Sequence, residues 1–276
     1  MRGQIVKIIS NNYTVNNGSM DYVCKARGKF RKEKKTPLVG DYVDFDENNN
    51  YILDILPRSN SLIRPLVANI DQAFIITSLK EPDFSLNLLD KLLVVMEVNN
   101  IKPIICLTKI DKCSDNKLVE YNKLIDYYKS IGYEVIKNTD YTKIKKLIKN
   151  NTSVFTGQSG AGKSTLLNNL NPELNLKTGE ISLALNRGKH TTRHVELLEM
   201  FDGKVLDTPG FSSLEFKEMS KEEIKDAFVE FNNFPCIYKD CSHVDEKECK
   251  VKEAVNQGKI LLSRYENYLK ILEGRR

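Results

Sequence analysis

At 276 residues, with 41% hydrophobic and 29% charged side chains, the chain is too long for one ordinary small domain and too balanced for a disordered or fibrous protein. Its 42 Lys and Arg against 37 Asp and Glu leave a net charge of +5, a mild excess that solubility alone explains unless its location says otherwise. No stretch approaches the roughly 18 apolar residues that cross a bilayer, and the opening Met1-Arg2-Gly3-Gln4 starts no basic-then-apolar leader, so a cytoplasmic protein with no membrane partner is expected.

Residues 1–65 show short alternating runs separated by turn signals at Asn16-Asn17-Gly18, Gly28, Gly40 and Asn48-Asn49-Asn50. Tyr13-Thr14-Val15, the run at 21–30, Asp41 to Phe45 and Tyr51 to Ile55 give four or five strands, the content of an OB-type β-barrel. Lys25, Arg27, Lys29, Arg31, Lys32, Lys34 and Lys35 crowd one segment against the single acid Glu33, with Phe30 among them. The segment reads either as a solvated basic hairpin or as a single-stranded RNA platform, where phosphates meet cations and bases stack on aromatic rings.

From Ile70 the pattern changes to buried apolar runs alternating with helical stretches, which predicts a parallel sheet covered on both faces over residues 66–220. Strands are expected at Ala73 to Ile76, Pro103 to Leu107 and Thr152 to Thr156, with helices from about Ser85 to Val98 and Asp115 to Ile131. An antiparallel pair, Val195 to Met200 and Lys204 to Leu206, is expected around a turn at Asp202-Gly203.

Four segments carry chemistry in this region. Gly157-Gln158-Ser159-Gly160-Ala161-Gly162-Lys163-Ser164-Thr165 fits the phosphate-binding GxxxxGK[ST] pattern between a strand and a helix. Glycines let backbone amides close on phosphates, Lys163 reaches the β and γ oxygens, and Ser164 completes a Mg²⁺ shell. Asp207-Thr208-Pro209-Gly210 supplies the second phosphate-side signature, with Asp207 toward Mg²⁺ and the Gly210 amide toward the γ-phosphate. Between them Lys189-His190-Thr191-Thr192 reads as a switch loop in which Thr191 or Thr192 reaches Mg²⁺. Thr108-Lys109-Ile110-Asp111 matches the guanine motif, in which the aspartate accepts from two donors that adenine lacks. It ends a parallel strand, where ligands of such sheets bind. Because it precedes the phosphate loop, the motif order is circularly permuted, and GTP or GDP with Mg²⁺ is the expected ligand.

Phe211 stands where Ras-like proteins carry a water-orienting glutamine, so intrinsic hydrolysis should be slow and await a partner. His190 is the local candidate to hold or deprotonate the attacking water, with packing in a loop as the alternative. Lys163 and His190 are the catalytic candidates.

Residues 221–276 are helical and charged, with a final stripe of Leu261, Leu262, Tyr265, Tyr268, Leu269 and Leu272 read as core packing. Cys236, Cys241, His243 and Cys249 form a C-x4-C-x-H-x5-C array whose three thiolates and imidazole close a tetrahedral site, so one structural Zn²⁺ is expected, the alternative being clustered thiols. The fold class is thus multidomain: an N-terminal OB-fold barrel, a central α/β P-loop GTPase of permuted order and a C-terminal, mainly α, zinc-binding domain.

The barrel, TKID ahead of GQSGAGKST, KHTTRH, DTPGF and the cysteine/histidine array together resemble the bacterial ribosome-small-subunit-dependent GTPase family, RsgA (also YjeQ or YloQ), over essentially the whole chain. The resemblance implies a late-stage assembly factor that binds the 30S subunit, contacts 16S rRNA through barrel and zinc domain, and hydrolyses GTP much faster when docked. It also implies that His190 orients water, and a monomer is expected. The Ser-Ala pair that often supports the base in this family is matched only by Asn138-Thr139-Asp140. An RNA-binding scaffold whose docking is merely gated by nucleotide, or a P-loop ATPase or small-molecule kinase, are the readings from other classes.

Overall fold

The computed structural model describes all residues except 34, 63–65, 175, 177–194, 208–215, 217 and 275–276. Five strands, β1 (Arg2–Ile9), β2 (Asn12–Asn16), β3 (Asp21–Ala26), β4 (Tyr42–Asp46) and β5 (Tyr51–Ile55), run in the order β1-β2-β3-β5-β4. β4 pairs back onto β1, which closes the barrel, and β3 lies parallel to β5 while the other barrel pairs are antiparallel. Ile5, Val15, Cys24, Val43, Phe45 and Ile52 point inward and are fully buried. Small barrels are filled by such side chains.

Two features of the barrel depart from the sequence reading. β1 carries no clean alternation: a bulge between Ile5 and Lys7 shifts its register on β2, and Gln4 and Ile5, adjacent in sequence, are both buried, Ile5 in the barrel core and Gln4 against Gly40 and Lys204. The run at 21–30 stops as a strand at Ala26, and Lys29–Lys32 form one helical turn that drives Phe30 into the core at 2% exposure. Phe30 therefore has no face free for stacking.

The linker is latched to the barrel by Arg58, which donates to both oxygens of the buried Asp41 at 2.7 and 2.8 Å. A small hairpin, β6 (Ser61–Leu62) with β7 (Val67–Ala68), then leads into the central sheet.

That sheet has the order β10 (Glu134–Lys137), β9 (Lys102–Thr108), β8 (Gln72–Ser78), β11 (Thr152–Gly157), β13 (Gly203–Asp207), β12 (Glu196–Met200). All its pairings are parallel except that of β12 with β13. Alternate residues serve opposite faces. Ile75, Ile105 and Val154 pack toward the helices Leu86–Val98 and Asp115–Ser130. Phe74, Ile104, Cys106 and Phe155 pack toward Tyr141–Ile148 and Lys163–Leu170, with Phe74 and Phe155 stacked at 4.6 Å. The helix at 86–98 begins where Ser85 accepts from the Leu88 amide, an N-cap that satisfies one of its orphan donors.

The β12–β13 hairpin turns one residue earlier than the sequence suggests. Phe201 and Asp202 both hold positive φ, 53° and 58°, the requirement of a two-residue type I′ turn. Gly203 begins β13 because a Cβ there would lie 2.0 Å from the Ile148 carbonyl oxygen. On its other edge β12 meets β1 at Lys7 opposite Glu196, so barrel and central sheet are one continuous eleven-stranded sheet.

The C-terminal part holds the helices Lys221–Asp226, Lys250–Asn256 and Leu262–Glu273. In the last of these the buried face is Arg264, Asn267, Tyr268 and Ile271, while Leu262 is 60% exposed, so the expected leucine stripe is displaced. Arg264 is fully buried and donates to Glu230 Oε1 and Oε2 at 2.7 and 2.9 Å and to Asp90 Oδ1 at 2.8 Å. Tyr128 and Asn267 each donate to Asp90 at 2.6 Å, and the guanidinium lies 4.5 Å from the Phe228 ring centre. Buried charges persist only when paired and hydrogen-bonded in this way. The cluster ties the C-terminal helix to the helix at 86–98.

Candidate nucleotide site and metal centre

The strands β9, β8, β11 and β13 lie side by side and end together, so the loops leaving their carboxyl ends converge. The guanine motif follows β9, the phosphate loop leaves β11, and the Asp207 backbone closes β13. Gly157, Gly160 and Gly162 hold φ of 143°, 78° and 100°, which turns successive amides into a concave loop running into the N-terminus of the helix at 163–170. A Cβ at Gly157 would lie 2.1 Å from the Ile76 carbonyl oxygen, so the loop cannot leave the sheet on any other residue. Amides and a helix N-terminus facing one concavity fit a polyphosphate.

Thr108 and Lys109 are turned toward this loop. The Thr108 hydroxyl is 1% exposed and donates to the Ala161 carbonyl at 2.6 Å. Lys109, in left-handed backbone at φ 54°, donates its ammonium to the Gly160 carbonyl at 2.8 Å and to that of Glu81. Lys112 pairs with the Glu81 carboxylate at 2.6 Å, which holds that carboxyl below its usual range. Glu81 thus joins the site although no motif marks it. Ile110 to Lys112 form a short 3-10 turn that leaves Asp111 exposed at the mouth.

Asn138 follows β10, and its amide donates to the Leu107 carbonyl at 2.9 Å, which sets it beside the guanine motif. Asp140 instead caps the helix at 141–148, accepting from Lys143 at 3.1 Å. His190, Thr191, Thr192 and Gly210, with Phe211, lie outside the described residues.

Cys236, Cys241, His243 and Cys249 come together with their ligand atoms all within 4.8 Å of one another. His243 Nδ1 stands 3.6, 3.3 and 3.3 Å from the sulfurs of Cys236, Cys241 and Cys249, and Cys236 Sγ is 3.8 Å from Cys249 Sγ. Tetrahedral zinc with bonds of about 2.3 Å to sulfur requires sulfur–sulfur edges of about 3.8 Å. Backbone amides of Lys250 and Lys252 approach Cys236 and Cys249 at 3.3 and 3.5 Å, the donors a thiolate accepts. Burial holds His243 below its ordinary pKa, in the neutral form that can ligate. The donor set fits zinc.

Sequence reasoning missed the supports of this loop. Tyr265 and Tyr268 donate to the carbonyls of His243 and Ser242 at 2.6 and 2.5 Å, and Glu246 accepts from the Ser242 and Val244 amides. Against its desolvation, hydrogen bonds from its own backbone amide, the Ser242 amide and hydroxyl and the Val244 amide pull Glu246 down to a pKa of about 2.

A parallel sheet with a phosphate loop on β11 and a guanine motif earlier in the chain on β9 defines a P-loop GTPase of circularly permuted motif order. The family described as RsgA GTPase matches residues 55–217, and the RsgA N-terminal domain matches residues 2–52. The small ribosomal subunit biogenesis GTPase RsgA 2 of Oceanobacillus iheyensis is 48% identical over 98% of this chain and 96% of its own length. The RsgA of Latilactobacillus sakei is 49% identical over 97% and 93%. Among solved structures, YjeQ from Thermotoga maritima is 37% identical with a TM-score of 0.85, covering 99% of this chain and 98% of that one. YloQ, described as a circularly permuted GTPase, is 37% identical with a TM-score of 0.80 over 99% and 94%. The chain belongs to the RsgA GTPase family. It is a GTPase, and its nucleotide is a guanine nucleotide with Mg²⁺.

Proposed function

We propose that this chain is a cytoplasmic, monomeric GTPase that acts late in assembly of the small ribosomal subunit, binds 16S rRNA and is stimulated by the subunit. The observation that carries this reading is full-length likeness to proteins named for small-subunit biogenesis, with the nucleotide motifs in permuted order between a barrel and a Cys3His cluster. No helix among the described residues is long and apolar enough to cross a membrane.

In this reading Asp111 accepts from the guanine edge, with Thr108, Lys109 and Ile110 shaping its turn. The amides of Gly157 to Thr165 hold the phosphates and Lys163 neutralises the β and γ oxygens. Ser164, Asp207 and Thr191 or Thr192 are the Mg²⁺-side groups, and the Gly210 amide meets the γ-phosphate. Bound Mg²⁺ would neutralise charge on the phosphates. His190 holds the attacking water, a task that Phe211 cannot perform by hydrogen bonding. Cys236, Cys241, His243 and Cys249 hold one structural zinc. The division into residues 1–65, 66–220 and 221–276 follows these three tasks.

The barrel supports RNA binding through a different aromatic from the one first indicated. Tyr51, 41% exposed, stands opposite Lys25 across β3 and β5, beside a hollow lined by Lys25, Arg27 and Asn49. Ring and cations together suit an unpaired base and its phosphates. Calorimetry with GTP, GDP and ATP, then phosphate release with and without 30S subunits, tests the reading. GTP and GDP should bind and ATP should not, and subunits should raise the rate by at least ten-fold; equal rates with and without subunits would refute it.

A further inference from the structure

We infer that Lys7 of the barrel is a positioning residue for the magnesium side of the GTPase site, acting through Glu196 on Asp207. The inference rests on the magnesium-side role proposed for Asp207.

The β12–β13 hairpin is held very differently at its two ends. At the turn it is anchored to the GTPase body: the Asn150 amide donates to the Asp202 carbonyl and the Lys204 amide to that of Asn151, both at 2.9 Å. Lys149 pairs with Asp202 at 3.2 Å, and Gly203 abuts Ile148. At the open end the support among the described residues is thin. β13 is in register with β11 only from Lys204 to Leu206, opposite Thr152 to Val154. Asp207 lies one residue beyond, and among the described strand pairings its partner is Glu196 of β12.

Glu196 is in turn the residue at which β12 meets the barrel. It stands opposite Lys7 of β1, and the Lys7 ammonium reaches its carboxylate at 2.8 Å. Lys7, Glu196 and Asp207 therefore form one cross-strand row from barrel to nucleotide site. A second tie joins β1 to the anchored turn end: Lys204 donates to Oε1 of the buried Gln4, whose own amide donates to the Gly40 carbonyl at 3.1 Å. A shift of β1 therefore acts on the open end of the hairpin through the Lys7–Glu196 pair, where opposite charges on facing strands favour one register, whereas at the turn end it meets a strand already anchored to the GTPase body. Whatever engages the barrel thereby acts on the strand end that carries Asp207.

The test uses the full-length protein with Lys7→Glu, Glu196→Lys and the double exchange. Three readouts are taken: the Mg²⁺ concentration for half-maximal slowing of release of a fluorescent GDP, the GDP affinity in EDTA, and amide exchange at 196–207. Lys7→Glu should raise the Mg²⁺ midpoint about five-fold and speed exchange at Val205 to Asp207, with EDTA affinity unchanged. The double exchange should restore both to within about two-fold. A midpoint and exchange pattern unaltered in Lys7→Glu, or a folded double variant that restores neither, would overturn the inference. Asp207→Ala separates the two layers. If it leaves the Mg²⁺ midpoint unchanged, the magnesium role of Asp207 fails, whereas the exchange readout still reports whether barrel and hairpin end are linked.

Discussion

The Thr108 hydroxyl donates to the Ala161 carbonyl at 2.6 Å, so the residue that opens the guanine motif serves the phosphate loop. Asparagine is commoner at this position in GTPases; here the threonine makes the tether. The two recognition loops are therefore preorganised as one unit before nucleotide arrives.

Removing that hydroxyl leaves a buried carbonyl without its donor, a loss of about 1–3 kcal/mol. Thr108→Val should weaken GDP about ten-fold, and Thr108→Ser should restore it. Fluorescent-nucleotide titration measures both.

Asp111 is the one carboxylate of the guanine motif, and it stands exposed at the mouth of the site. Asp111→Ala should lose most of the preference for GTP over ATP while leaving the fold intact, because among the described residues no hydrogen bond or ion pair joins the exposed side chain to a neighbouring element. Competition of ATP against labelled GDP would read the change; an undiminished preference would assign base recognition elsewhere.

Cys241→Ser should reduce bound zinc from one per chain to none, counted by a chromogenic chelator. The loop from Cys236 to Cys249 should then become sensitive to protease. GDP affinity should stay within about three-fold, since the phosphate and guanine loops are built on β9 and β11.

The charge cluster predicts an asymmetric pair of outcomes. Arg264→Met strands two buried carboxylates and should cost about 3–5 kcal/mol in urea unfolding. Replacing Asp90, Glu230 and Arg264 together by apolar residues of similar volume should recover most of that loss.

What the sequence made legible was wherever local pattern and chemistry coincide. The runs at 103–107 and 152–156 read as buried strands, and the guanine motif and the phosphate loop each sit at the end of one, so the nucleotide loops and their permuted order followed directly. The cysteine spacing likewise announced its own cluster. Illegible features were those decided by distant partners. Arg264 looks like part of a solvated helix face until Asp90 and Glu230 are brought to it. Phe30 looks like a displayed ring amid cations until a helical turn points it inward. β1 was hidden because its bulge erases the alternation by which strands are recognised, and Phe201 in a left-handed turn conformation is a residue type that composition would not place there.

The pairing of β1 with β12 also bears on solubility. Without its neighbour, β12 would be the outer strand of the central sheet, offering a row of unpaired amides and carbonyls with Leu197 and Leu198 among them. Native sheets shield such edges, which otherwise template pairing with another chain. The barrel meets this one at Glu196, so a protein shortened to begin near Ile70 should self-associate through β12 rather than remain a dispersed minimal GTPase. In the intact chain, the barrel proposed to meet RNA also serves as a safeguard against aggregation.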